Sequence, residues 1–288
     1  MAGMTHHDHD SGHDIEEHDR GLGYDLATLN RRRMFGVFGV AGLAALTGCA
    51  ATGGSSGSAT TSSSAAATSG ATATSSAAAG ECTDVIPQET AGPYPGDGTN
   101  GPNVLAEQGI VRGDIRSSFG SASGTAEGVP LTIELTVTGA DCAPLAGAAV
   151  YLWHCDRGGG YSMYSPGVTD QNYLRGVQEV PTDGKVTFST IFPAAYSGRW
   201  PHAHFEVYAS LADATGGGEP IRTSQLALPE DVCTAVYATS GYEASVRNLA
   251  QTSLARDMVF SDGSDDQLAA VTGSVAAGYQ ATLTVRAK

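Results

Sequence analysis

After residue 105 the apolar positions of this chain recur chiefly with a period of two. Leu131-Thr132-Ile133-Glu134-Leu135-Thr136-Val137 alternates apolar and polar side chains. A strand with one buried face carries that pattern, because successive side chains point to opposite faces. Lys185-Val186-Thr187-Phe188-Ser189-Thr190-Ile191 alternates again, directly after the turn residues Thr182-Asp183-Gly184. Ala148 to Trp153 is a more continuous apolar run, and His204 to Tyr208, Ser224 to Leu228 and Ala281 to Val285 complete the set. Helical signal is weak and mostly confined to residues 229–256. Short strands separated by Gly, Pro and Asp turns predict an all-β sandwich with short helices and long loops. Gly158-Gly159-Gly160 and Gly216-Gly217-Gly218 lack the flanking pattern of a phosphate-binding loop and are read as ordinary loops.

Composition divides the 288 residues into three parts. Residues 51–80 are almost entirely Ala, Ser, Thr and Gly, too poor in large apolar side chains to offset chain entropy. A flexible linker is therefore expected over 50–81, with a folded domain over 82–288, long enough for one sizeable core. Before the linker, Arg31-Arg32-Arg33 leads into an apolar run from Met34 to Leu46 that ends in Leu46-Thr47-Gly48-Cys49. That run has the length of a signal-peptide core and is too short to span a bilayer. Its end resembles the bacterial lipobox, in which the cysteine is lipidated, here Cys49. The paired arginines resemble a twin-arginine signal, although Arg31 stands where that signal usually has Ser or Thr. Residues 1–49 are thus expected to act as leader and signal, and the membrane is expected to be met only through a lipid anchor at Cys49. The domain is expected to be exported, either anchored on the outer face of the membrane or released. The leader carries five of the eight His, interleaved with Asp, and is read as solvated. A net charge of −15 with only 15 Lys and Arg argues against a nucleic-acid partner.

Four cysteines remain in the domain: Cys82, Cys142, Cys155 and Cys233. An even number in an exported domain favours two disulfides, and no CxxC pair suggests a finger-type zinc site. Of the three pairings, Cys142–Cys155 across neighbouring strands, together with Cys82–Cys233, is the one expected. The alternative leaves one pair as buried thiols.

The domain holds only three His, of which two form His202-Ala203-His204. On a strand, residues i and i+2 share a face, so both imidazoles can serve one metal ion. Alone this motif is common and bland. Its surroundings sharpen it, because Tyr196-Ser197-Gly198-Arg199-Trp200-Pro201 forms a tight approach to the strand. Upstream, Trp153-His154-Cys155-Asp156 runs into Gly158-Gly159-Gly160-Tyr161. Two phenols and two imidazoles can then converge, and phenolate is a hard anionic donor suited to Fe(III). His154 is expected to point away from Trp153 and to pack rather than ligate.

Several segments resemble the intradiol ring-cleavage dioxygenases, the family of the catechol and protocatechuate enzymes. They are Val150-Tyr151-Leu152-Trp153-His154 through Tyr161-Ser162, Tyr173-Leu174-Arg175-Gly176-Val177-Gln178, and Tyr196 through Phe205. Thr90-Ala91-Gly92-Pro93-Tyr94-Pro95, Thr223-Ser224-Gln225-Leu226 and Asp257-Met258-Val259-Phe260 also fit. The likeness covers residues 82–287 and is strongest to exported lipoprotein members. It implies a transthyretin-like sandwich and one non-haem Fe(III) held by Tyr161, Tyr196, His202 and His204. It also implies Arg199 and Gln225 as polar catalytic groups, with Tyr196 acting additionally as a base and Tyr94 lining the ring pocket. The implied reaction is ortho cleavage of a small aromatic diol with O2 to a cis,cis-muconate-type product. The long helical dimerisation segment of the intracellular catechol enzymes has no counterpart here, so oligomeric state does not transfer. The competing readings are a surface lipoprotein that binds aromatics or metal without turnover, a zinc or copper site built on His202 and His204 alone, and a cell-wall spacer.

Overall fold

The computed structural model describes residues 83–288. The expected leader, the linker and Cys49 lie outside the described residues. Among those described, eight strands form two four-stranded sheets. One has the order β4-β1-β8-β7, built from β1 (Pro130–Thr138), β4 (Lys185–Ile191), β7 (Ala270–Ser274) and β8 (Gly278–Arg286). The other has the order β3-β2-β5-β6, from β2 (Ala149–Trp153), β3 (Arg175–Glu179), β5 (His202–Tyr208) and β6 (Arg222–Ala227). The helices are short: α1 (Leu211–Gly216), α2 (Glu230–Tyr237) and α3 (Glu243–Leu249). All pairings in the second sheet are antiparallel, whereas β1 runs parallel to β8 in the first.

Alternation dictates how the sheets pack. Leu131, Ile133, Leu135 and Val137 of β1 meet Val150, Leu152, Phe205 and Val207 of the opposing sheet in one continuous core. Each such side chain removed from water contributes about 1.5–3 kcal/mol. Every residue of β5 is buried. Its odd-numbered positions face the sandwich core, and its even-numbered positions, His202, His204, Glu206 and Tyr208, lie on the other face. That second face is roofed by loops: Val104, Leu105 and Tyr161 pack there against Ala149, Tyr151 and Trp153 of β2. The continuous apolar run of β2 thus reflects a strand covered on both sides. One sheet serves stability on its inner face and polar chemistry beneath the roof on its outer face.

The expected disulfides are not formed. Cys155 and Cys233 are both free, buried thiols, which removes Cys142–Cys155 and Cys82–Cys233 alike. The first pairing assumed adjacent strands, but β1 and β2 belong to different sheets. Cys155 leaves β2 and points its Sγ at Ala194 O, 3.6 Å away. Cys233 sits on the buried face of α2 with Val236 and Tyr237. Cys142 is disulfide-bonded, and with those two thiols free its partner lies outside the described residues.

Candidate active site

His202 and His204 open β5, and register places His204 beside Trp153 of β2 and Gln225 of β6. The two imidazoles approach Nε2 to Nε2 at 3.1 Å. Trp153 stacks on His204 with ring centroids 4.9 Å apart and planes 6° from parallel. The ring of His202 is oriented by a 2.5 Å contact from Nδ1 to Trp200 O. Donation to that carbonyl puts the proton on Nδ1 and leaves Nε2 as a lone pair aimed at its partner. Burial, and after it the charge of Arg199 for His202 and the neighbouring His202 for His204, hold both imidazoles well below the ordinary histidine pKa. Both are therefore neutral and able to donate to a metal.

Tyr161 reaches the same point from the loop after β2. Asp156 shapes this loop by accepting from Gly158 N and Gly160 N, each at 2.9 Å, and Asp156 N closes it on Gly160 O at 2.8 Å. Gly159 has φ +92°, and a Cβ there would stand 3.3 Å from Tyr196 Cβ. The turn therefore needs glycine both for its backbone and for the approach of Tyr196. Tyr161 lies with its ring 5.9 Å from Tyr196 and 6.2 Å from His204, both edge-on. Its hydroxyl is buried with no hydrogen-bond partner among the described residues. Burial, then the Tyr196 phenol, which is close but out of hydrogen-bond geometry, push its pKa well above the tyrosine range. Tyr196 is only half-buried, and its Oη lies 3.2 Å from His202 Nε2.

A buried hydroxyl without a partner costs about 1–3 kcal/mol, and His204 Nδ1 is orphaned as well. Among the described residues no group of three or more His, Cys, Asp or Glu is placed to hold a metal ion. The converging donors are instead two phenols and two neutral imidazoles. They fit a ferric ion, whose charge would ionise the phenols and give the Tyr161 oxygen the partner it lacks.

Behind this cluster lies a buried polar chain. Arg199 Nε donates to Asp257 Oδ2 at 2.9 Å, and its Nη2 donates to Gln225 Oε1 at 2.6 Å. Gln225 Nε2 in turn donates to Thr90 O at 2.9 Å. Gln225 therefore braces Arg199 against the Thr90–Pro95 segment. Tyr94 on that segment has its ring 5.1 Å from Tyr161. His154 turns the other way, with Nδ1 on Cys155 O and Nε2 on Thr190 Oγ1, each at 2.7 Å. Burial lowers its pKa to about 4, so it stays neutral as a packing residue between the sheets.

Sequence reasoning assigned no role to Asp257, Arg175 or the stacking face of Trp153. The available signal for Asp257 was an acid at the head of the apolar run Met258-Val259-Phe260, since a buried carboxylate there demands a cation. Glu89, next to the Gln225 anchor, is a further such group. Its carboxyl is pushed up to about 7, by burial first and then by Asp262, against the pull of Arg199. A folded pKa above the unfolded value means that the penalty on the charged form is absent below about pH 4.5, grows above it and is complete near pH 7. Stability attributable to Glu89 thus falls as pH rises through that window. Glu89→Gln is expected to flatten this slope, read as Tm against pH from about 4 to 8; an unchanged slope would assign the effect elsewhere.

The dioxygenase family model matches residues 100–214. Catechol 1,2-dioxygenase 1 of Acinetobacter lwoffii is 44% identical over 68 residues, which cover 23% of this chain and 22% of that protein. Chlorocatechol 1,2-dioxygenase of Rhodococcus opacus is 40% identical over 53 residues, 18% and 21% of the respective chains. The matched stretches thus span only about a fifth of these curated relatives. A solved intradiol ring-cleavage dioxygenase from Tetranychus urticae shares the fold, with a TM-score of 0.56, 24% identity, and coverage of 71% of this chain and 94% of that one. The chain is thus a β-sandwich with the fold of that solved dioxygenase. The family match is confined to residues 100–214, and the likeness to the solved intradiol dioxygenase is one of fold.

Proposed function

We propose that this protein is a non-haem Fe(III) intradiol dioxygenase that opens a small aromatic diol with O2 to a cis,cis-muconate-type product. The observation that carries this is the convergence of Tyr161, Tyr196, His202 and His204 with a buried phenol hydroxyl left unpartnered. Those four residues would hold the iron. Bound Fe(III) would supply Lewis acidity and a template for both diol oxygens.

The chain's own groups divide the remaining work. Tyr161 and the two imidazoles are buried and fixed, so they keep the donor geometry. Tyr196 is the least buried member, and its Oη, ionised when the metal is held, would accept a proton from the incoming diol and swing toward solvent. Trp153, stacked on His204, excludes water from that side. The Arg199 guanidinium, set by Asp257 and Gln225, stabilises negative charge developing on the substrate. Tyr94 provides one wall for the aromatic ring.

The domain is also proposed to work outside the cytoplasm, exported on the signal in residues 1–49 and held by lipid at Cys49. No helix among the described residues is long and apolar enough to cross a membrane.

The iron-reconstituted protein is expected to show a broad visible band that shifts when catechol is added without oxygen, followed by oxygen uptake and muconate absorbance in air. A protein that stays colourless with iron removes the reading. A band that shifts without oxygen uptake would point to a binding protein.

A further inference from the structure

We infer that Arg175 is a positioning residue that ties the segment carrying Tyr94 to the loop carrying Tyr161, so that the ring-pocket wall and a metal donor keep one spacing. The inference rests on the function proposed above. Arg175 opens β3 and is 1% exposed. A guanidinium offers five N–H groups, and here all five are used. Nε donates to Ser162 Oγ at 3.1 Å. Nη1 donates to Pro95 O at 2.9 Å and to Tyr151 Oη at 3.0 Å. Nη2 donates to Tyr94 O and Ser162 O, both at 3.0 Å.

Every one of these acceptors is neutral. A buried cation without a carboxylate is costly to keep, and a core-filling apolar residue would pack the same space more cheaply. What Arg175 offers in return is a joint. Four of its five bonds end on residues 94–95 and 162, two segments distant in sequence that flank the candidate metal site. Tyr151, the fifth, is a rigid post on β2, and its hydroxyl donates to Pro95 O at 2.7 Å.

Two neighbours are shaped around this joint. Gly96 has φ +69°, and a Cβ there would stand 2.8 Å from Arg175 Nη1, so only glycine allows the guanidinium this close. The Tyr164 ring lies 5.5 Å from the guanidinium, within cation–π range. Its hydroxyl accepts from Gly96 N and donates to Asn100 O, both at 2.8 Å. The same short stretch is thereby clamped twice. The 5.1 Å contact between the Tyr94 and Tyr161 rings is the dimension the clamp protects, and it fixes where the pocket wall stands relative to the metal donor.

The test compares Arg175→Lys and Arg175→Met with Ile133→Ala, a substitution in the inter-sheet core. In the metal-free protein, amide exchange is expected to accelerate at Tyr94, Gly96, Ser162 and Met163 in both Arg175 variants while β1 stays protected. Ile133→Ala is expected to loosen β1 instead. In the iron-loaded protein, Arg175→Met is expected to raise KM for catechol roughly tenfold while kcat moves less than about threefold. Preference for catechol over a bulkier 4-alkylcatechol is expected to weaken in Arg175→Met, with Arg175→Lys partly restored. Exchange that rises evenly through the sandwich, or a KM that stays put, overturns the inference. The exchange result does not depend on turnover, so a wild-type protein without oxygen uptake would sink the proposed function while leaving the joint itself tested.

Discussion

Tyr161→Phe is expected to bleach the visible band of the iron-loaded protein and to lower kcat/KM for catechol by at least about 100-fold. Loss of groups that merely orient metal ligands weakens metal sites by about 10–100-fold, and this substitution removes a donor itself. It takes away one oxygen and keeps the ring that packs against Tyr94 and Tyr196. Because the hydroxyl is buried and unpartnered, its removal strands nothing. The metal-free variant should therefore be as stable as the parent, or more stable by about 1 kcal/mol. Activity lost with stability kept or gained is the mark of a group retained for chemistry. A variant that keeps the band and turnover removes Tyr161 from the site, and one that melts markedly earlier makes it a packing residue.

Asp257→Asn is expected to destabilise the domain by about 3–5 kcal/mol, the range for breaking a buried ion pair on one side. For a domain of this size that corresponds to a Tm roughly 10 °C lower. The Arg199 and Asp257 side chains are 1% and 0% exposed. The carboxylate also accepts from Trp200 N at 2.7 Å, Val259 N at 2.8 Å and Phe260 N at 3.3 Å. Asparagine would turn a donor toward this ring of N–H groups and remove the negative charge facing the guanidinium. Since Trp200 O in turn orients His202, catalysis should fall along with stability. Denaturant titration of the metal-free protein measures the effect, and a change below about 1 kcal/mol would show that the pair behaves like an exposed one.

The strands read most plainly from the sequence are those with one wet and one dry face, while the doubly covered β2 shows only as an apolar run. β1 and β4 announce themselves because Thr132, Glu134, Thr187 and Ser189 punctuate their apolar positions. β7 escapes notice because its edge position leaves only Val271 half-buried. β3 escapes because its first residue is a buried arginine and its second, Gly176, packs closely on Ile115. The imidazole pair was legible because strand period alone puts His202 and His204 on one face. Tyr161 and Tyr196 were suggested by the Gly- and Pro-rich turns beside them, but only family likeness singled them out as ligands among the eleven Tyr. Asp257 and Arg175 could not be assigned roles. The partners that give them those roles, Arg199 and Trp200 for Asp257 and Tyr94 and Ser162 for Arg175, lie 13–81 residues away in sequence, and such pairings exist only once the loops have closed over the sheet. The disulfides failed for the same reason, because bonding depends on which sheet each strand joins.

The central strand β5, hydrogen-bonded to β2 and β6 and covered on both faces, has a consequence for how this molecule can change. Its odd-numbered positions are answerable to the opposing sheet, and its even-numbered ones to the loops above. The roof can therefore be rebuilt, lengthened or recut for a different ligand without the sandwich beneath having to repack. Novelty in such a chain should accumulate in residues 90–111 and 156–174, while the inter-sheet residues drift slowly and together.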